Sequence, residues 1–269
     1  MANGTAVRVI KGHAYRNDFL LVPDADVASL DVQELAIAMC DRHAGVGADG
    51  LIVYRLGGDV TRMRLFNADG SPAEVSGNGV RCLAALVLRQ QPGVRRVTID
   101  TPAGPKVMEL MESADGRLTF RASMGQPQDV RVLNLEAAGE PVRVVALSVG
   151  NPQCVVLGRP LDERRMTTLG PALERHPAFP NRTNVSFADV EAPDRVRILI
   201  WERGVGPTAA SGTGACGAAV AAAAHGGASR DVQVISPGGA QRVEWCEDGL
   251  YLTGWAELIL EGHWLAVSA

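Results

Sequence analysis

The sequence predicts an α/β fold made of two related halves, and three observations lead there. Strand-like and helix-like segments alternate along the chain, with strands in the majority. One local pattern, Ser-Gly-x-Gly opening a helix, occurs twice, as Ser76-Gly77-Asn78-Gly79 and as Ser211-Gly212-Thr213-Gly214. The copies lie 135 residues apart in a chain of 269, half its length. A twofold repeat of a strand–turn–helix unit is the simple reading. Two unrelated glycine-rich helix starts are the other.

In chain order, Arg8–Lys11 and Phe19–Val22 read as a hairpin. Asp31 to Cys40 reads as a helix, with Asp31 as N-cap and Glu34 three residues on. Leu51–Tyr54 and Thr61–Phe66 are expected strands. Gly77 to about Arg89 is expected to be helical, with Val80, Leu83, Ala84 and Val87 on one face. Strands follow at Val97–Thr101, Lys106–Met111 and Leu118–Ala122. Gly125-Gln126-Pro127 is the expected linker, because Gly and Pro punctuate there. The second half repeats the grammar. Strands are expected at Val142–Val149, Val155–Leu157, Asn184–Phe187 and Val196–Trp201, then a helix from Gly212 to about His225. Strands resume at Val232–Ile235, Gln241–Trp245 and Leu250–Gly254. Glu257 to Val267 reads as a terminal strand with a Gly-His break.

Composition narrows the function. A 46% hydrophobic chain of this length can fill one large core or two ordinary ones. The net charge of −4 and the lack of any Lys/Arg block argue against nucleic acid as a partner. Aromatics at 4% are too few for a base-stacking platform. The first residues, Met-Ala-Asn-Gly-Thr-Ala-Val-Arg, lack the pattern of a signal peptide. The apolar run from Ala215 to Ala224 falls far short of the ~20 residues of a membrane span. The five cysteines, an odd number at wide spacing, predict reduced thiols and a cytoplasmic setting. The histidines show no metal-ligand spacing, so no metal is expected.

The two turns carry the chemistry. A helix N-terminus offers unpaired N–H groups and about half a positive charge. Glycine lets a ligand approach the backbone, and serine caps the helix. Each turn is therefore suited to a carboxylate or phosphate. For either alone, a plain helix cap is an equal reading. Gly45-Val46-Gly47-Ala48-Asp49-Gly50 and Gly212-Thr213-Gly214-Ala215-Cys216-Gly217 also fit G-x-G-x-x-G. The first follows a helix and the second has no abutting strand, so neither reads as a dinucleotide fingerprint.

The flanks of the turns carry a resemblance. Phe66-Asn67-Ala68-Asp69-Gly70-Ser71-Pro72-Ala73-Glu74, followed by Gly77-Asn78-Gly79-Val80-Arg81-Cys82, resembles the first signature of the diaminopimelate epimerases. Trp201-Glu202-Arg203-Gly204-Val205-Gly206-Pro207-Thr208, followed by Gly212-Thr213-Gly214-Ala215-Cys216, is similar to the second. Gly12-His13, Asn17-Asp18-Phe19, Arg42-His43, the 45–50 run, Gly150-Asn151-Pro152 and Pro237-Gly238-Gly239 extend the likeness along the chain.

The resemblance implies two pseudo-symmetric domains, each a mainly antiparallel sheet wrapped around a central helix, with substrate in the cleft between. The expected boundaries are 1–123 plus 257–269 for the first domain and 124–256 for the second. It implies an isomerase that needs no pyridoxal phosphate or other cofactor and no metal. The enzyme would interconvert LL- and meso-diaminopimelate in lysine and cell-wall synthesis, by two-base proton transfer at the α-carbon. Ser76 and Ser211 would then lie within roughly 6–9 Å of one another, one on each side of that carbon. Diaminopimelate is the expected small-molecule partner, with no membrane and no nucleic acid, and a homodimer is admitted.

By position, Asn17, Asn67, Asn151 and Asn184 match the family's substrate-contacting asparagines. Gly77-Asn78 and Gly212-Thr213 match its carboxylate-binding turns. Glu202 and Arg203 match the pair that meets the far amino-acid end. Where the family carries catalytic cysteines, this chain has Ser76 and Ser211, and Gln153 replaces the family's histidine. The catalytic set is thus Ser76, Ser211, Glu202 and Gln153, with Glu202 placed to assist Ser211. A serine hydroxyl is a weaker acid than a thiol by about five pKa units, or about 7 kcal/mol for forming the anion. That difference corresponds to roughly 10⁵-fold in rate. Cys82 and Cys216 lie a turn or more into their helices and read as buried small residues. Three accounts stay open: an impaired epimerase, an amino-acid-binding homologue without turnover, and a related isomerase or dehydratase of another substrate.

Overall fold

The structure, a computed structural model, describes residues 6–73 and 75–265. Glu74 of the first signature, residues 1–5 of the stretch read for a leader, and the expected strand end at Val267 lie outside the described residues. The fold is mixed α/β and divides into two units. One runs to Arg121 and resumes at Trp255, and the other is Ala122–Gly254.

The first unit contains β1 (Ala6–Ala14), β2 (Asn17–Pro23), α1 (Val32–Cys40), β3 (Gly50–Arg55), β4 (Val60–Asn67), β5 (Pro72–Ala73), α2 (Gly77–Gln90), β6 (Arg96–Asp100), β7 (Lys106–Ala114) and the start of β8 (Arg117–Gly125). The second contains β9 (Gln128–Ala137), β10 (Glu140–Ser148), β11 (Pro152–Leu157), α3 (Glu163–Glu174), β12 (Asn184–Ala192), β13 (Arg195–Glu202), β14 (Gly206–Thr208), α4 (Gly212–His225), β15 (Asp231–Ser236), β16 (Gly239–Trp245) and the start of β17 (Leu250–Leu265).

The two units share one topology. In the first, β1-β2-β3-β4-β6-β7 pair in the senses antiparallel, parallel, antiparallel, parallel, antiparallel. In the second, β10-β11-β12-β13-β15-β16 repeat that order and those senses. Each parallel pair needs a crossover. Helices α1 and α3 supply the first crossover of their units, and α2 and α4 the second. β17 extends the first sheet beside β1 as β9 extends the second beside β10.

Alternation along the strands sends residues to two layers. In β13, Val196, Ile198 and Ile200 face α4, while Leu199 and Trp201 pack with Met166, Leu169 and Leu173 of α3. In the first unit, Leu20, Val22, Leu51 and Val53 meet Leu35, Ala36 and Met39 of α1. The inner helices are enclosed all round. The sequence places only one face of α2 in the core, but burial is continuous from Asn78 to Leu88. Helix α4 is buried from Gly214 to Ala222 and is almost wholly Ala and Gly. Ala and Gly keep α4 narrow and let its neighbours approach it closely.

Several sequence expectations need correction. Gly125-Gln126-Pro127 is the β8–β9 turn and not the passage between units, which falls inside β8 and β17. The expected separate strand at 257–267 is the continuation of β17, because Gly262 pairs in register with Val9 and makes no break. Strand β9 and helix α3 have no counterpart in the expected elements. Pro171 inside α3 obscures a helix that Asp162 caps by accepting from the Arg164 amide. The β1–β2 turn uses Tyr15 and Arg16, at φ of 56° and 70°, where glycine is usual. Tyr15 is held there because its hydroxyl accepts from the Trp255 amide and its ring lies 4.7 Å from the Trp255 ring.

Overpacking tests the enclosure of α4. Ala221→Leu, at a site with no exposed surface, is expected to destabilise by about 1–3 kcal/mol. Ile37→Thr on exposed α1 is expected to shift the denaturant midpoint little. Equal midpoints for the Ala221→Leu variant and the parent would contradict the packing described.

Candidate active site

In the first unit, Ser76 caps α2 from an extended conformation, and its Oγ accepts from the Gly79 amide at 3.2 Å. This satisfies one of the helix's first donors and leaves others for a ligand. A Cβ added at Gly77 would meet nothing within 4 Å, so the backbone there is open to close approach. Behind the cap, amides are locked in sequence. Arg81 Nη1 donates to Asn78 Oδ1 at 2.8 Å, and Asn78 Nδ2 donates to Asn17 Oδ1 at 3.2 Å. Asn17 Nδ2 then donates to Asp49 Oδ2 at 2.8 Å. The far end is a charge lattice in which Arg42 joins Asp49 and Asp18, and Lys11 lies 3.0 Å from Asp18. Burial alone would raise the Asp18 pKa, but bonds from Arg42 and Lys11 hold it below the usual carboxylate range.

The second unit builds the same corner with different parts. Ser211 caps α4, and its Oγ accepts from the Gly214 amide at 3.2 Å. A Cβ at Gly214 would sit 3.1 Å from the Ser211 Cβ, so a side chain there would crowd the cap. Asn151 Nδ2 donates to Thr213 Oγ1 at 3.3 Å, the counterpart of the Asn17–Asn78 bond. Gln153 Nε2 donates to Asn151 Oδ1 at 2.7 Å. Gln153 is buried flat against α4, where a side chain at Gly217 would strike its Cβ and Cγ at 3.1 Å. Among the described residues, the buried Gln153 Oε1 and Ser186 Oγ have no hydrogen-bond partner.

The remaining candidates lie at or just beyond strand ends. Asn67 ends β4, and its Nδ2 donates to Ser71 Oγ at 2.9 Å, which closes the turn that follows. Asn184 opens β12, and its Oδ1 accepts from the Arg203 amide at 3.0 Å. Glu202 ends β13 with Oε1 accepting from the Thr208 hydroxyl at 2.7 Å. Arg203 is exposed and donates through Nη1 to the Asn181 carbonyl at 3.0 Å. The structure thus groups Asn17, Ser76, Gly77 and Asn78 in one unit. In the other it joins Asn151, Gln153, Thr213 and the Ser211 cap, and separately Asn184 with Arg203.

Cys82 and Cys216 are fully buried within their helices. Burial pushes the Cys40, Cys82 and Cys154 thiols up to about 12, so none of these three is a ready thiolate. Among the described residues no group of three His, Cys, Asp or Glu could hold a metal ion. No helix among them is long and apolar enough to cross a membrane. Sequence reasoning gave no role to Arg81 or Glu174. Arg81 stands three residues after Asn78 on one helix face, a spacing that signals the contact. Glu174 was hidden with its unrecognised helix.

Comparisons with known proteins place the chain among relatives and folds. A family model described as diaminopimelate epimerase matches residues 9–130 and 145–259. The diaminopimelate epimerase of Heliobacterium modesticaldum is 41% identical, over 94% of this chain and 98% of that one. That of Pelotomaculum thermopropionicum is also 41% identical, over 94% and 97%. Among solved structures, a hydroxyproline epimerase from Agrobacterium vitis superposes with a TM-score of 0.72 at 15% identity, over 98% of this chain and 93% of that one. A PhzF-family phenazine biosynthesis protein from Bacillus anthracis gives 0.70 at 15% identity, over 97% and 99%. At these identities the structures share the fold.

The charge lattice predicts a pH signature. Because the folded pKa of Asp18 is depressed, its stabilisation is present above its unfolded value of about 4 and is lost as pH falls through the folded value. Asp18→Asn is therefore expected to lower the unfolding midpoint at pH 7, with the gap to the parent closing below about pH 4. A gap that stays constant across the acid range would show that Asp18 does not act through its charge.

Proposed function

The chain belongs to the diaminopimelate epimerase family, and from that premise we propose that it binds diaminopimelate and interconverts the LL and meso forms slowly, without a cofactor. The observation that carries the reading is the duplicated corner. Each unit presents a serine oxygen at a helix N-terminus, with the residue two places on locked to an asparagine at a strand start. A two-base inversion needs two such groups of equal chemistry. One serine, as the alkoxide after giving its proton to solvent, takes the α-proton while the other, as the hydroxyl, gives its own to the opposite face, so one C–H bond breaks, another forms and the two oxygens exchange protonation states. The amides of the helix first turns receive the α-carboxylate. Asn17, Asn67, Asn151 and Asn184 complete the binding set, and Glu202 and Arg203 take the far amino-acid end.

The oxygens set the rate. Forming a serine alkoxide costs about 7 kcal/mol more than forming a thiolate. The Gly79 and Gly214 amides donate to these oxygens. Such bonds to a charged group contribute about 1.5–3 kcal/mol and offset part of that cost. Glu202 is the carboxylate assigned to assist Ser211, and Gln153 acts through Asn151, to which it donates. A second reading, binding without turnover, is favoured by Gln153, whose amide cannot accept a proton as an imidazole does.

Proton exchange separates the two. LL-diaminopimelate in heavy water is expected to gain α-deuterium slowly in the presence of the protein. No deuterium gain, with binding retained, supports the second reading. Ser76→Cys combined with Ser211→Cys is expected to exchange at least a hundredfold faster than the parent, and each single variant much less. A double variant that binds but stays as slow as the parent would refute the assignment of the two oxygens. Arg203→Ala is expected to weaken diaminopimelate binding tenfold or more by calorimetry, and unchanged affinity would remove Arg203 from the site.

A further inference from the structure

Glu174 is the last residue of α3, and its side chain is only 3% exposed. Three donors from two segments converge on it. Trp201 Nε1 donates to Oε2 at 2.8 Å, the Gly204 amide donates to Oε1 at 3.0 Å, and Arg182 forms an ion pair with Oε1. Burial alone would raise the pKa of this carboxyl, but these partners hold it below the usual value, so it stays ionised. One turn earlier on the same helix face, Gly170 makes room for the Trp201 indole. A Cβ there would lie 2.8 Å from the ring.

The segment so gripped is the turn Glu202–Val205. It closes through the Val205 amide donating to the Glu202 carbonyl at 3.1 Å, with Gly204 at φ 80° in its third position. Its backbone is held from outside at two successive residues: Arg203 by Asn184 Oδ1 and Gly204 by Glu174 Oε1. Arg203 itself is exposed, with its guanidinium on the Asn181 carbonyl. Its direction is set by that one bond and by the backbone of the turn from which it projects.

We infer that Glu174 is a positioning residue that aims Arg203, and thereby sets specificity for a substrate with a second, distal amino-acid end. This rests on the reading that Arg203 meets that end. An ionised carboxylate accepts all three donors and repels none. An amide in its place must turn its NH₂ toward Trp201 Nε1 or toward the Gly204 amide, so one bond becomes a clash of donors.

The test titrates the full-length protein and its Glu174→Gln variant with two ligands by calorimetry. One is diaminopimelate, and the other is L-2-aminoheptanoate, which has the same chain length and a single amino-acid end. The variant is expected to lose tenfold or more in affinity for diaminopimelate and to keep its affinity for aminoheptanoate. Hydrogen exchange is expected to quicken at residues 201–205 and to stay unchanged in α4. Equal losses for both ligands would make Glu174 a general structural support and overturn the proposal. Unchanged affinity for both, with exchange unaltered, would overturn it as well. A parent protein that fails to bind diaminopimelate while binding aminoheptanoate would refute the epimerase reading and the specificity role together. If Glu174→Gln does not fold, Arg182→Ala leaves the Trp201 and Gly204 bonds in place. It is then expected to show the same selective loss in weaker form, and no selectivity there would overturn the proposal.

Discussion

The architecture of each unit depends on enclosing a helix on every side. A surface helix can turn polar residues to water along its length, whereas α4 has no such face. Its polar chemistry is therefore confined to its ends, where backbone groups lack intrahelical partners. The narrow Ala and Gly sequence, the close approach of Gln153 at Gly217, and the serine that caps the open end all follow from that confinement. Helix α2 obeys the same constraint with larger residues, and it carries Arg81 buried at its first turns because Asn78 accepts from it.

Much of this was legible in the residues, for identifiable reasons. The Ser-Gly-x-Gly pattern marks a helix start by itself, and its recurrence at half-length marks the duplication. The structure shows the same strand order and pairing senses in both halves. The cap–asparagine bonds were not legible, since they join residues 61 and 62 positions apart. Helix α3 escaped because Gly170 and Pro171 interrupt its pattern, and both are tolerated for tertiary reasons that local propensity does not contain. The single β17 escaped because Gly262-His263 reads as punctuation until its partner β1 is known.

The two corners are alike in geometry and unlike in electrostatics. Behind Ser76, the hydrogen-bond chain ends in the lattice of Lys11, Arg42, Asp18 and Asp49. Behind Ser211, it ends in the neutral amide of Gln153, whose Oε1 is unsatisfied. Charged partners polarise a chain of amides more strongly than neutral ones. Duplication thus preserved the cap and the asparagine while the supporting residues diverged. Two identical hydroxyls consequently sit in different surroundings.

The passage of the backbone between units inside β8 and β17 bears on how the protein is made. Residues 122–254 form one unit from a continuous stretch, whereas the other needs residues from 255 onward to pair with β1. During synthesis, which proceeds from the N-terminus, the second unit has all its strands before the first does. The N-terminal half, though translated earlier, must wait with the β1 edge uncovered until Trp255–Leu265 emerges. The strand that completes the N-terminal unit is therefore among the last parts of the chain to be made, and until then one edge of β1 has no partner strand.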